Sequence, residues 1–132
     1  MANTSNNPAL RFNRGRLLAA LAWAVLIAIL SLLPGPDLPP LPPYPGADKV
    51  AHAAMYLVLG FLLAWSLHSP SHLALMVIVL LIGLYGYSLE VGQLYVPGRS
   101  YDLLDVLANL AGGGLGVGAG EIWIHRRTAP AE

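Results

Sequence analysis

The run LLAALAWAVLIAILSLL, residues 17–33, contains no charged side chain. As an α-helix this run is roughly 25 Å long, close to the thickness of the hydrocarbon core of a bilayer. Three further apolar runs follow at 50–67, 73–96 and 103–124, and the last is weaker because it contains polar residues and many glycines. A helix satisfies its own backbone polar groups in hydrocarbon, so the pattern predicts four transmembrane helices with these bounds.

The composition supports a membrane protein of one domain. The chain has 132 residues, of which 56% are hydrophobic and 11% are charged, whereas soluble domains average about 25% charged residues. Its formal net charge of zero argues against nucleic-acid binding, which needs a basic surface. Because cysteine is absent, the chain has no disulfide, thiolate nucleophile or cysteine metal site. We therefore predict an all-α fold, an integral membrane four-helix bundle.

The first apolar run shares one property with a cleaved signal peptide, because Arg11, Arg14 and Arg16 precede it. However, its apolar stretch exceeds the upper limit of about 15 residues for a signal peptide, and no A-x-A cleavage site follows it. We expect this run to be retained as a membrane helix.

Basic residues in the short loops predict the orientation of the bundle. With the N-terminus in the cytoplasm, five basic residues lie on the cytoplasmic side and only Lys49 and Arg99 lie on the outer side. This bias is the one that the positive-inside rule describes. The five cytoplasmic residues are Arg11, Arg14, Arg16, Arg126 and Arg127.

Aromatic residues fit the same orientation. Trp65 and Trp123 then mark the inner interface, and Tyr95 and Tyr101 mark the outer one. We predict an N-in/C-in protein of the cytoplasmic membrane, with a stiff proline-rich outer linker. The predicted segments are a cytoplasmic tail at 1–16, the helical domain at 17–125 with the linker at 34–47, and a second cytoplasmic tail at 126–132.

Three of the four predicted helices carry a stripe of polar and small residues on one face. The stripes are Lys49, His52, Tyr56 and Gly60 in the second helix, Gly83, Gly86, Glu90 and Gln93 in the third, and Asp102, Asp105, Asn109, Gly112, Gly116 and Gly120 in the fourth. Each stripe is polar toward the outer side and small deeper in, and small residues let membrane helices approach closely. We predict three helices pressed together in their inner halves and parted around an outer polar pocket, with the first helix as a support.

Glu90 is the most informative residue of these stripes. It lies about six residues, or roughly 9 Å, inside the outer end of its helix. A carboxylate at the centre of a membrane costs about 2.5–3.5 kcal/mol on insertion scales and less near a helix end. Glu90 should therefore face the bundle and have a partner, for which Lys49, His52 and Arg99 are the candidates. The segment VPGRS at 96–100 suits a type II turn, which would fold Arg99 back over the third and fourth helices.

Each polar residue also has a simpler structural explanation. These explanations are helix capping for Asp102, the helix dipole for Asp105, interhelical hydrogen bonding for Asn109 and Gln93, snorkelling for Lys49, and hydrogen-bonded packing for His52. A shared pocket explains in addition why three helices place costly groups at the same depth and on the same side.

Two motifs carry a family resemblance. The segment DKVAHAAMY at 48–56 and the pattern E..Q...PGRS.D..D...N..G at 90–112 resemble the VanZ-like family of small bacterial membrane proteins. The namesake of that family is associated with low-level resistance to the glycopeptide teicoplanin. Ala53 departs from the family pattern, in which an aromatic residue follows the histidine. The positions that the resemblance implies as site residues are Asp48, Lys49, His52, Tyr56, Glu90, Gln93, Arg99, Asp102, Asp105 and Asn109.

Three classes of function follow as alternatives. The first is a module that binds a lipid-linked envelope precursor or a glycopeptide, with Arg99 and Lys49 as cationic contacts. The second is an intramembrane hydrolase or transferase for a lipid-linked substrate, with His52, Glu90 and Asp105 as catalytic acid–base residues. The third is a structural subunit whose polar residues dock a partner protein.

Cofactors and partners complete the predictions from the sequence. No cofactor is expected, although a variant of the enzyme hypothesis uses His52, Glu90 and Asp105 to hold a divalent metal ion. Membrane lipids are the expected surroundings, and nucleic acid is not an expected partner. The sequence does not indicate an oligomeric state.

Overall fold

The computed structural model of the protein describes residues 11–128. Four α-helices make up the fold: α1 (Arg14–Leu32), α2 (Ala47–Ser66), α3 (His72–Gln93) and α4 (Leu103–Thr128). Each helix is long and apolar enough to cross a membrane. The predicted all-α fold with four membrane helices is therefore confirmed. Residues 1–10 and 129–132 of the predicted tails lie outside the described residues.

Side chains just before the helices fix two of their starts. Asn13 accepts a hydrogen bond from the backbone N–H of Arg16 at 3.1 Å, so α1 begins before the predicted Leu17. Ser71 accepts one from the backbone N–H of Ala74 at 3.2 Å and caps α3. Such side chains satisfy backbone donors that the first turn of a helix leaves free.

We call the end of the bundle at which α1 and α3 finish and α2 and α4 begin the polar end, and the other end the opposite end. Arg16 stacks on Trp65, with 4.4 Å from the guanidinium carbon to the ring centroid, and Arg127 stacks on Trp123 at 4.5 Å. These four residues lie at the opposite end, whereas Tyr101 lies at the polar end against Tyr87. Aromatic residues therefore mark both ends of the bundle, as membrane interfaces favour.

Helices α2 and α4 make the most extensive helix contact of the fold, and glycine residues permit their close approach. A Cβ atom at Gly112 would collide with the carbonyl of Ala53, and one at Gly116 with the carbonyl of Leu57. A Cβ at Gly60 would collide with the backbone of α4. The predicted close approach through small residues thus holds for these two helices. Helix α3 differs, because its Gly83 and Gly86 face side chains of α4 rather than backbone.

Helix α1 supports this core from one side. The Trp23 indole donates to the carbonyl of Met55 in α2 at 2.9 Å, and the Tyr85 hydroxyl of α3 donates to the carbonyl of Ala24 at 2.5 Å. Both bonds reach backbone carbonyls, and α1 contributes to them only the indole N–H of Trp23 and the carbonyl of Ala24. This arrangement agrees with the supporting role predicted for the first helix.

The proline-rich linker is not extended throughout. It starts with a short 3₁₀ helix, Gly35–Asp37, and the N–H of Gly35 donates to the carbonyl of Pro97 at 3.1 Å. A Cβ at Gly35 would collide with the carbonyl of Gly98, so only glycine permits this approach. The sequence predicts a stiff linker but not this contact, which joins the α1–α2 linker to the loop between α3 and α4.

Candidate functional site

Charged and amide side chains from α2, α3 and the start of α4 meet at the polar end. We call this group the polar cluster, and its members are Asp48, Lys49, His52, Glu90, Asp102, Asp105 and Asn109. The helical stripes seen in the sequence explain the meeting, since each stripe turns its polar end to the same space. The predicted convergence of three helices is present in the structure.

Lys49 is held by three aspartates. Its Nζ atom lies 2.7 Å from Asp48 Oδ2 and 2.6 Å from Asp102 Oδ2. It also forms an ion pair with Asp105, with 3.0 Å between Nζ and Oδ1. Because the aspartates come from α2 and from the beginning of α4, Lys49 joins the two helices by charge.

Asp102 combines capping with a place in the cluster. Its Oδ1 accepts from the N–H of Leu104 at 2.8 Å, which caps α4, while its Oδ2 accepts from Lys49. The hydrogen bond from Lys49, together with the one from Leu104, lowers the pKa of Asp102 below its ordinary value. The N–H of Asp102 also points to Glu90 Oε2, at 3.4 Å. The simple capping explanation for Asp102 is correct but incomplete.

His52 lies at the buried centre of the cluster. Its Nδ1 is 3.0 Å from Asn109 Oδ1 and 3.9 Å from Glu90 Oε1, and its Nε2 is 3.7 Å from Asp105 Oδ2. An amide oxygen only accepts, so Nδ1 is the nitrogen that donates to Asn109. The ring is therefore oriented by Asn109 and flanked by two carboxylates.

Three further predicted residues are almost fully buried. Glu90 is 1% exposed, which confirms that it faces the bundle, and Gln93 and Tyr56 are equally enclosed. Of the three candidate partners for Glu90, His52 is the one within ion-pair distance. Gln93 Nε2 and the Tyr56 hydroxyl find no hydrogen-bond partner among residues 11–128. Buried polar groups of this kind are normally satisfied by water or by a ligand.

The predicted type II turn is present. The N–H of Arg99 donates to the carbonyl of Val96 at 3.2 Å, and Gly98 has a φ of 73°, the left-handed value that such a turn requires. The turn leaves the Arg99 side chain half-buried at the polar end. Within residues 11–128, Arg99 makes no ion pair with any carboxylate.

A cavity of about 190 Å³ lies beside the cluster, between α1, the linker and α2. Arg99, His52 and Asp48 supply its polar wall. The other residues that line it are Leu30, Ser31, Leu38, Pro39, Leu41, Ala51 and Met55. Analysis of the sequence missed this mainly apolar wall, because α1 and the linker have no polar stripe that marks them as part of a site.

Ala53, the residue that departs from the family pattern, does not line this cavity. Its backbone lies in the α2–α4 contact, where a Cβ at Gly112 would meet it. The departure therefore affects the packing of two helices rather than the wall beside His52.

Among residues 11–128, two sets of side chains have the spacing of metal ligands. One ligand atom from each of His52, Glu90 and Asp105 lies within 4.8 Å of the others, and the same holds for Asp48, Asp102 and Asp105. The second set already surrounds the Lys49 ammonium group. Of these two sets in the described part of the chain, the one that contains His52 has no lysine or arginine at its centre.

Comparison with known families agrees with the resemblance in the motifs. Residues 12–124 match the family model described as VanZ/LLP1. No curated protein and no solved structure matches the chain.

Proposed function

Because the chain belongs to the VanZ/LLP1 family and has four helices that suit a membrane, we propose that it binds an anionic, lipid-linked ligand of the cell envelope. The cavity between α1, the linker and α2 is the binding site in this proposal. A role like that of the teicoplanin-resistance protein is then the retention or shielding of such an envelope component.

The observation that carries the proposal is the charge of Arg99 beside the cavity, unpaired in the described part of the chain. It is a permanent cation that has no ion pair within residues 11–128 and lines a cavity. A guanidinium group has five donors in a fixed plane, which match the oxygens of a phosphate. An anionic headgroup at this place would supply the partner that Arg99 lacks.

The apolar part of the cavity supports the same class of ligand. Leu30 of α1, Leu38 and Leu41 of the linker, and Met55 of α2 form most of its wall. An apolar wall with a few polar groups on one side suits an amphiphile better than a fully polar solute. A lipid-linked molecule would place its headgroup at Arg99 and the first part of its chain against these residues.

Lys49 has a different task in this proposal. The sequence suggested Lys49 and Arg99 together as cationic contacts for the ligand. Three carboxylates already compensate the Lys49 ammonium group, so its attraction for a further anion is weak. We assign headgroup binding to Arg99 and the joining of α2 and α4 to Lys49.

The test is binding of a short-chain polyprenyl phosphate to the purified protein in mild detergent. Arg99→Ala should weaken binding by about 10- to 100-fold, which corresponds to the loss of a charge-assisted hydrogen bond. Arg99→Lys should keep the charge and lose part of the affinity. Arg126→Ala, at the opposite end, is the matched control and should bind as the original protein does. Unchanged binding by Arg99→Ala would refute the proposal.

A second candidate function is supported by the surroundings of His52. A histidine oriented by Asn109 and flanked by Glu90 and Asp105 has the arrangement of an acid–base group. An intramembrane hydrolase or transferase would use it on the same lipid-linked substrate. In that case Glu90→Gln and Asp105→Asn should abolish turnover while lipid binding persists. Equal losses of binding and turnover would leave only the binding function.

A further inference from the structure

We propose that His52, Glu90 and Asp105 bind a divalent transition-metal ion at the buried side of the polar cluster. The three residues come from α2, α3 and α4, and all are buried. One ligand atom from each lies within 4.8 Å of the others. This site adjoins the cavity of the lipid proposal through His52, but Arg99, on which that proposal rests, does not belong to it.

Asn109 orients the imidazole ring of His52 for metal binding. Its amide oxygen engages Nδ1 at 3.0 Å, and Nε2 is left to face Asp105 Oδ2 at 3.7 Å. A metal-bound histidine usually donates its other ring N–H to an oxygen that fixes the ring. Two ligands bonded at about 2.1 Å to a tetrahedral ion lie about 3.4 Å apart. The observed distance between Nε2 and Asp105 Oδ2 is close to that value and too long for a hydrogen bond.

In each of the two carboxylates, one oxygen has a polar partner and the other lies beside His52. Glu90 Oε2 faces the N–H of Asp102, and Asp105 Oδ1 faces Lys49. The remaining oxygens lie beside the His52 ring, Glu90 Oε1 at 3.9 Å from Nδ1 and Asp105 Oδ2 at 3.7 Å from Nε2. Each carboxylate is therefore held by one oxygen and has the other available on the His52 side, within the 4.8 Å that the three ligand groups share.

The burial of two of the carboxylates also favours a cation. Glu90 is 1% exposed and Asp105 is 8% exposed. Within residues 11–128, Lys49 lies 3.0 Å from Asp105, and no lysine or arginine forms an ion pair with Glu90. Buried charges of this kind are paired or bind metals. An ion beside Glu90 Oε1 and Asp105 Oδ2 would supply the cation that Glu90 lacks.

Two buried polar atoms near this place have no partner within residues 11–128. Tyr56 lies one helical turn from His52 on the same face of α2, and its hydroxyl is buried without a hydrogen-bond partner. Gln93 Nε2 lies one turn from Glu90 on α3. A water bound to the ion is the kind of group that satisfies such atoms.

The ligand types select the class of metal. One imidazole with two carboxylates suits zinc, manganese or cobalt, whereas magnesium and calcium prefer sites built from oxygen alone. The oxygen-only set of the cluster is filled by Lys49. We therefore expect Zn²⁺ or Co²⁺ to bind and Mg²⁺ not to displace them.

The experiment is a titration of the purified protein, without an affinity tag, with Co²⁺ in mild detergent. Visible absorption should show about one bound ion per chain, which Zn²⁺ then displaces. His52→Ala, Glu90→Gln and Asp105→Asn should each weaken binding by at least tenfold. His72→Ala and Glu121→Gln are the matched controls, since the exposed His72 also places an imidazole 3.4 Å from a carboxylate, that of the half-buried Glu121. The controls should bind Co²⁺ as the original protein does.

Two further measurements keep the test valid if a site variant fails to fold. Asn109→Ala should weaken metal binding about 10- to 100-fold through loss of the ring orientation. X-ray absorption of the zinc-loaded original protein should show a nitrogen and oxygen shell with one imidazole. The absence of bound Co²⁺, retention of Co²⁺ by the three site variants, or a shell without imidazole would each overturn the proposal. Arg99→Ala should keep the metal, so failure of lipid binding does not affect this result.

Discussion

Lys49 stands in the first turn of α2, with its side chain 27% exposed, and three aspartates surround its ammonium group. Asp102 is the partner whose oxygens are most fully used, because it also caps α4. Partly exposed ion pairs contribute little one by one, whereas a network around a single cation contributes more. Protonation of these carboxylates should therefore lower the stability of the bundle at its polar end.

Acid should destabilise the protein partly through Asp102. Its pKa is lowered in the folded protein by the hydrogen bond from Lys49. The stability that Asp102 contributes is thus complete above its unfolded pKa of about 3.9 and is lost as the pH falls toward the lower folded pKa. Thermal unfolding in detergent from pH 7 to pH 3 should show a larger loss for the original protein than for Asp102→Asn. Asp37→Asn is the control and should follow the original protein; equal slopes for all three would contradict this prediction.

At the scale of the elements, the contact between α2 and α4 sets the position of the cluster. Gly112 and Gly116 bring the two backbones together below His52, so the first turns of both helices are held at fixed separation. Gly118, only two residues further along, faces open space. The same helix therefore offers a glycine that packing requires and one that it does not.

This difference predicts opposite effects of the same substitution. Gly116→Ala places a methyl group against the carbonyl of Leu57, and the helices must part, which should lower the free energy of unfolding by about 1–3 kcal/mol. Gly118→Ala meets no atom within 4 Å and should be neutral or stabilise by up to about 1 kcal/mol. Reversible unfolding in mixed detergent measures both. An equal decrease in the free energy of unfolding for both variants would show that the α2–α4 contact is not tight.

The helices and their facing stripes could be predicted from the sequence because both depend on local patterns. Apolar runs marked the spans, and the spacing of polar residues placed Glu90 and His52 inside the bundle. The turn at Arg99 followed from one proline and one glycine. The cavity wall could not be predicted, because Leu30 and Leu41 belong to segments without a polar pattern. The partners of Lys49 were also missed, since spacing gives the face of a residue but not its distance from other helices.

In the molecule as a whole, the loops lie at the two ends of the bundle. The linker and the α3–α4 loop lie at the polar end, and the α2–α3 loop lies at the opposite end with Trp65. The predicted orientation puts the opposite end, with most of the arginines, in the cytoplasm. The absence of cysteine lets single cysteines report on each loop without background labelling.

Labelling of intact cells tests this orientation. Ser100→Cys, in the loop at the polar end, should react with a maleimide that does not cross membranes. Ser69→Cys, in the α2–α3 loop, should react only after the cells are made permeable. Both serines are exposed, so accessibility within the protein is matched. The reverse pattern would place the polar end in the cytoplasm and overturn the proposed N-in/C-in topology.

The ion pairs of Lys49 also bear on how the chain is made. Synthesis proceeds from the N-terminus, so α2 enters the bilayer before α4 has left the ribosome. Until then Lys49 has only its neighbour Asp48, because Asp102 and Asp105 come later in the chain. The fourth span is the least apolar of the four, and α2 offers it ion pairs at Lys49 and close backbone packing at Gly60. A nascent chain that stops before Asp102 therefore has the Lys49–Asp48 pair alone and lacks the two charges that join α2 to the last span.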